Sequence, residues 1–140
     1  MHRLLEFLNT KSLAQSKILL VEDCQEDTML AQRMIEDYCS YSLVHHVETK
    51  ADACIALTNG KYEIILLDLD LPDTTSIADV QKIRCYAPET PLIVVTGTPT
   101  KKVLGDVKNY GADGIINKSA LTNLPFSAPI ERAVDNIASY

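Results

Sequence analysis

The chain has 140 residues, the size of one ordinary domain. With 46% hydrophobic and 23% charged residues it has a globular rather than a disordered composition, and no apolar run approaches the roughly 20 residues that a membrane-spanning helix needs. The net charge of −6 disfavours direct nucleic-acid binding, which calls for clustered Lys and Arg.

Residues 1–16 contain Leu4, Leu5, Phe7 and Leu8, but Glu6 and Asn9 interrupt them, so they do not make a secretory signal. They are expected to form an N-terminal extension, an arm or a helix, ahead of a domain spanning 17–140. A cytoplasmic location follows as an expectation. The four cysteines, at 24, 39, 54 and 85, have no C-x-x-C spacing and are expected to be free thiols.

The first strand is Ile18–Val21, followed at once by Glu22 and Asp23. Leu30, Met34, Ile35 and Tyr38 then make a helical stripe. Leu43–Val47 is a weaker strand, interrupted by His45 and His46, as an edge strand would allow. Adjacent strand residues face opposite ways, so these two histidines are structural or surface residues rather than a metal pair. Cys54 and Leu57 mark a second helix, stopped by Asn59-Gly60.

Ile64–Leu67 is the next strand and runs into Asp68, Asp70 and Asp73; the last follows Pro72 and reads as a turn residue. Ile77, Val80, Ile83 and Ala87 give a helix that ends before Pro88. Leu92–Val95 is a strand followed by Thr96 and Gly97. Lys101–Lys102 opens a helix as its solvated start, and Val103, Val107 and Tyr110 form its stripe up to Gly111. Ile115–Ile116 leads into Asn117 and Lys118. A last helix carries Ile130, Ala133, Val134 and Ile137, with Pro129 in its first turn.

Three of these strands are apolar at every position, as strands covered on both faces are. The βα unit repeated five times, with right-handed crossovers, predicts an α/β fold: a doubly wound, flavodoxin-like, five-stranded parallel sheet. Ligands bind such sheets beyond the carboxyl ends of the strands. There the chain delivers Glu22, Asp23, Asp68, Thr96 and Lys118. Two carboxylates about 4 Å apart repel by roughly 4 kcal/mol at an effective dielectric near 20. Three in one pocket call for a cation beyond Lys118, and a hard divalent ion such as Mg²⁺ suits oxygen donors and phosphate. Asp68, central among them, is the natural nucleophile toward phosphorus.

The segments "KILLVEDCQEDTMLAQRMIED", "YEIILLDLDLPDTTSIADVQKIR", "TPLIVVTG" and "GADGIINKSA" together resemble the receiver domain of two-component response regulators over residues 17–138. The gaps of 45 residues from Asp23 to Asp68, 28 to Thr96 and 22 to Lys118 are similar to that family's. The resemblance implies phosphorylation of Asp68 by a histidine kinase or histidine phosphotransfer domain, with Mg²⁺ or Mn²⁺ as cofactor and intrinsic autodephosphorylation. It implies metal ligation by Glu22, Asp23, Asp68 and the Asp70 backbone carbonyl, with Asp23 the more direct ligand of the acidic pair. Thr96 would be the switch hydroxyl, Lys118 the phosphate-binding lysine, and Asp70 and Thr98 would tune phosphate lifetime. The effector would be a downstream protein or an attached output domain.

Three positions depart from the family pattern or bear on it. Ser119 stands where Pro often follows the lysine, so a trans peptide is expected. Ile115 stands where an aromatic switch residue is usual, which weakens the usual coupling to Thr96. Gly97 is the small residue expected after the threonine. Two rival readings remain at this point: a receiver-like interaction module that is not phosphorylated, and a haloacid-dehalogenase-like phosphatase using Asp68 and Asp70 of "IILLDLD".

Overall fold

The computed structural model describes residues 16–70, 78–97 and 99–138. The expected N-terminal extension apart from Ser16, and Asp73, Ile77 and Thr98, lie outside the described residues. In chain order the elements are β1 (Lys17–Val21), α1 (Gln25–Tyr38), β2 (Leu43–Val47), α2 (Lys50–Asn59), β3 (Ile64–Asp68) and α3 (Asp79–Tyr86). They continue with β4 (Leu92–Thr96), α4 (Lys101–Asn109), β5 (Gly114–Asn117), a 3₁₀ turn (Lys118–Thr122) and α5 (Ala128–Ala138).

The five strands form one parallel sheet in the order β2-β1-β3-β4-β5. Strand alternation divides the core cleanly. Leu19, Val21, Ile65, Leu67, Leu92 and Val94 bury against Ala53 and Ala56 of α2, Val80 and Ile83 of α3, and Val107 of α4. Ile18, Leu20, Leu66, Ile93, Val95 and Ile116 bury against Met34 and Ile35 of α1 and Ile130 and Ala133 of α5. Each fully buried Leu or Ile is worth about 1.5–3 kcal/mol relative to exposure, so both faces hold the sheet. β2, with Leu43 and His45 exposed, is the edge strand that its broken pattern predicts.

Local chemistry sets the helix ends. The Thr49 hydroxyl accepts from Asp52 N at 3.0 Å and starts α2; the Thr100 hydroxyl accepts from Val103 N at 3.2 Å and starts α4. α1 has no side-chain cap, but Glu26 and Asp27 in its first turn complement the helix dipole. Gly60 ends α2 in extended backbone, φ −161°, so it is not the left-handed cap its position after Asn59 suggests. Gly111 does take the left-handed region, at φ +111°. All four cysteines are free thiols. No helix among the described residues is long and apolar enough to cross a membrane.

Candidate functional site

Register brings the polar strand ends together. Val21 pairs with Leu67, Asp68 with Val95, and Thr96 with Asn117, so Glu22, Asp68, Thr96 and Lys118 leave adjacent strands at one edge. This edge holds the point where strand order reverses, between β1 and β3.

Asp68 is 2% exposed. Its Oδ1 accepts from Lys118 Nζ at 3.0 Å and from Asp70 N at 3.2 Å. Its Oδ2 is buried and has no hydrogen-bond partner among the described residues. Glu22 is also buried. Its Oε2 lies 3.4 Å from Lys118 Nζ, and its Oε1 accepts from Cys24 N at 3.1 Å. Asp23 is exposed at the mouth. One carboxylate oxygen from each of Glu22, Asp23 and Asp68 lies within 4.8 Å of the others. Thr96 is buried beside them.

Burial raises the Glu22 carboxyl from its ordinary 4.5 to about 7; the Cys24 N–H opposes this, the Asp68 carboxylate adds to it, and Lys118 opposes it. Burial alone would lower the Lys118 ammonium, but the contacts with Asp27 and Asp68 and the charge of Glu22 outweigh it and hold it above its usual value. The site thus concentrates more negative charge than one lysine balances. Three hard oxygen donors converging within 4.8 Å, with a buried Asp68 oxygen lacking a partner, fit a divalent cation such as Mg²⁺.

The other expected positions are less central. The Asp70 side chain is exposed, and its N–H steadies Asp68. Ile115 is half-buried and packs on the α2–α3–α4 side of the sheet. Ser119 follows Lys118 through a trans peptide, the cis bond among the described residues being Leu124–Pro125. The Ser119 N–H donates to Asn117 Oδ1 at 3.0 Å and opens the 3₁₀ turn, a bond that proline could not make.

Several contributors are not legible in the sequence alone. Asp27 Oδ2 sits 3.0 Å from Lys118 Nζ. It lies in the first turn of α1, where no local pattern singles it out. His46 is structural, as expected, and it braces the acidic turn. Its Nε2 lies 2.6 Å from the Glu22 carbonyl, so it donates there and fixes the backbone that carries Glu22. On the α2–α3 side, Lys50 Nζ pairs with Asp79 Oδ1 at 3.0 Å, lining a hollow beside Leu67, Asp68 and Leu69.

The chain is similar to known proteins in sequence and in fold. The family model described as response regulator receiver domain matches residues 18–124. The chain is similar to the transcriptional regulatory protein BasR of Escherichia coli, at 35% identity over 109 residues, covering 73% of this chain and 45% of the relative. It is also similar to the glycerol metabolism activator of Pseudomonas putida, at 32% over 71 residues, covering 49% of this chain and 32% of the relative. The chain therefore spans less than half the length of these curated relatives. A CheY-like receiver domain protein from Methanospirillum hungatei has the same fold, with a TM-score of 0.72 at 20% identity, covering 90% of this chain and 96% of that one.

Proposed function

The chain belongs to the response regulator receiver domain family, and on that premise we propose that it is phosphorylated on Asp68 by a histidine kinase or histidine phosphotransfer domain. It is a signalling domain rather than an enzyme in the ordinary sense, and the family match over 18–124 sets the phosphatase reading aside. The observation that carries the proposal is the pairing of the Lys118 ammonium with one Asp68 oxygen at 3.0 Å while the other, also buried, has no partner among the described residues. Lys118 fixes the carboxylate through one oxygen, and no donor among the described residues competes with a metal or an incoming phosphoryl group for the other.

In the proposed step an Asp68 carboxylate oxygen attacks phosphorus in line. A P–O bond forms as the P–N bond of the partner's phosphohistidine breaks, and the leaving imidazole nitrogen keeps the electron pair. Lys118 neutralises a phosphoryl oxygen, and the Thr96 hydroxyl donates to another. Glu22, Asp23, Asp68 and the Asp70 carbonyl would hold Mg²⁺ or Mn²⁺, which when bound supplies charge neutralisation at the phosphoryl oxygens. Asp70 and Thr98 are assigned to tuning the rate of autodephosphorylation. Movement of Thr96 repacks β5 at Ile115 and α4, and so alters the surface offered to a downstream protein or an attached output domain. We assign the receiver unit to residues 17–140 and leave 1–16 as an extension of it.

Mass spectrometry after incubation with Mg²⁺ and acetyl phosphate tests this. One added phosphoryl group is expected on the wild type and none on Asp68→Asn. An unmodified wild type would favour the non-phosphorylated interaction module, and uptake by the Asn variant would remove Asp68 from its role.

A further inference from the structure

We propose that Asp27 competes with the phosphoryl group for the Lys118 ammonium, and so restrains phosphorylation of Asp68; this rests on the phosphoacceptor reading above. Lys118 has three N–H donors, and three carboxylates surround it: Asp68 at 3.0 Å, Asp27 at 3.0 Å and Glu22 at 3.4 Å. Its donors are therefore committed, and an arriving phosphoryl oxygen must displace one acceptor. The Asp68 and Glu22 side chains are 1% and 3% exposed, and Glu22 is also tied by the Cys24 N–H. The Asp27 side chain is 27% exposed, in the first turn of α1, so water can take the place of the lysine there. Asp27 is the acceptor that gives way. Lys118 does not depend on it for placement, because two carboxylates remain when it is removed.

The decisive measurement is the rate of phosphoryl uptake from acetyl phosphate with saturating Mg²⁺ in the wild type, Asp27→Asn and Glu26→Gln. Glu26 is exposed on the same turn and serves as a control for lost negative charge near an anionic donor. Asp27→Asn is expected to be about two- to fivefold faster than wild type, the factor set by one partly exposed ion pair. Glu26→Gln is expected to match wild type. If Asp27→Asn is no faster than wild type, or Glu26→Gln is accelerated as much, the proposal falls while the phosphoacceptor reading stands. A wild type that takes up no phosphoryl group overturns both. Metal-free melting gives a second readout. The change caused by Asp27→Asn should be less favourable with Lys118 present than in a Lys118→Ala background, by about 2–4 °C. An equal change in both backgrounds means that the two side chains are not coupled, and also defeats the proposal.

Discussion

Glu22 is the residue whose chemistry departs furthest from its sequence-level description. As an acid following a strand it reads as an ordinary ionised carboxylate, yet it is 3% exposed and its pKa rises from 4.5 to about 7. The folded value lies above the unfolded one, so the folded protein binds more protons between about pH 4.5 and 7. This contribution is fully present below pH 4.5 and is lost as pH rises through 7, by up to about 3 kcal/mol. Urea unfolding of divalent-free protein should show wild type losing stability relative to Glu22→Gln between about pH 5 and 7.5. Parallel profiles for the two proteins would mean that Glu22 is ionised throughout. The convergence of Glu22, Asp23, Asp68 and Lys118 was legible because each follows an apolar strand, and strand ends of one sheet share an edge. Asp27 and His46 were not, because their contacts run from one element to another: α1 to the turn after β5, and β2 to the turn after β1. Nothing in a local pattern fixes which helix face or strand face will meet a distant turn.

The elements themselves were legible where burial dictates pattern. β3 and β4 are buried at every position and read as unbroken apolar runs. α2 is the counter-example. The residues that mark its stripe, Cys54 and Leu57, are only partly buried and Ile55 is exposed, whereas Ala53 and Ala56 face the core, and alanine carries too little hydrophobic signal to mark a stripe. The 3₁₀ turn after Lys118 escaped because it arises from one Asn117 side-chain bond rather than from any periodicity. Glycines separate element chemistry from loop chemistry in the same way. Gly111 ends the α4 segment at φ +111°, and a Cβ there would lie 3.0 Å from Arg84 Cγ. Gly105 lies inside α4 with nothing within 4 Å of an added Cβ. Thermal unfolding of Gly111→Ala should show a loss of about 1–3 kcal/mol. Gly105→Ala should gain up to about 1 kcal/mol from helix propensity. If the two substitutions had the same sign, the assigned backbone roles would be wrong.

At the scale of the whole molecule, the two edges of the sheet have different roles. The carboxyl edge gathers uncompensated charge and leaves a buried Asp68 oxygen without a partner among the described residues. The amino edge is tied by Arg84, at the end of α3. Its guanidinium donates to the Gly111 carbonyl at 2.8 and 2.9 Å, to Ala87 O at 3.0 Å, to Thr90 O at 2.6 Å and to the Asp113 carboxylate. Asp113 in turn accepts from Leu92 N at 2.9 Å, so one side chain joins α3 to the starts of β4 and β5. Strands of this length put the tie roughly 16 Å from the reactive edge. Arg84→Ala leaves several carbonyls and a carboxylate without their donor, and should cost about 2–4 kcal/mol of stability by urea unfolding. At a temperature where the variant stays folded, its phosphoryl uptake from acetyl phosphate should equal that of wild type. Among the described residues Arg84 touches none of the Asp68 machinery, and β3 is held on both sides by other strands. A folded Arg84→Ala protein with a changed uptake rate would show that the two edges are coupled through α3 and β4, and the division of labour across the sheet would have to be abandoned.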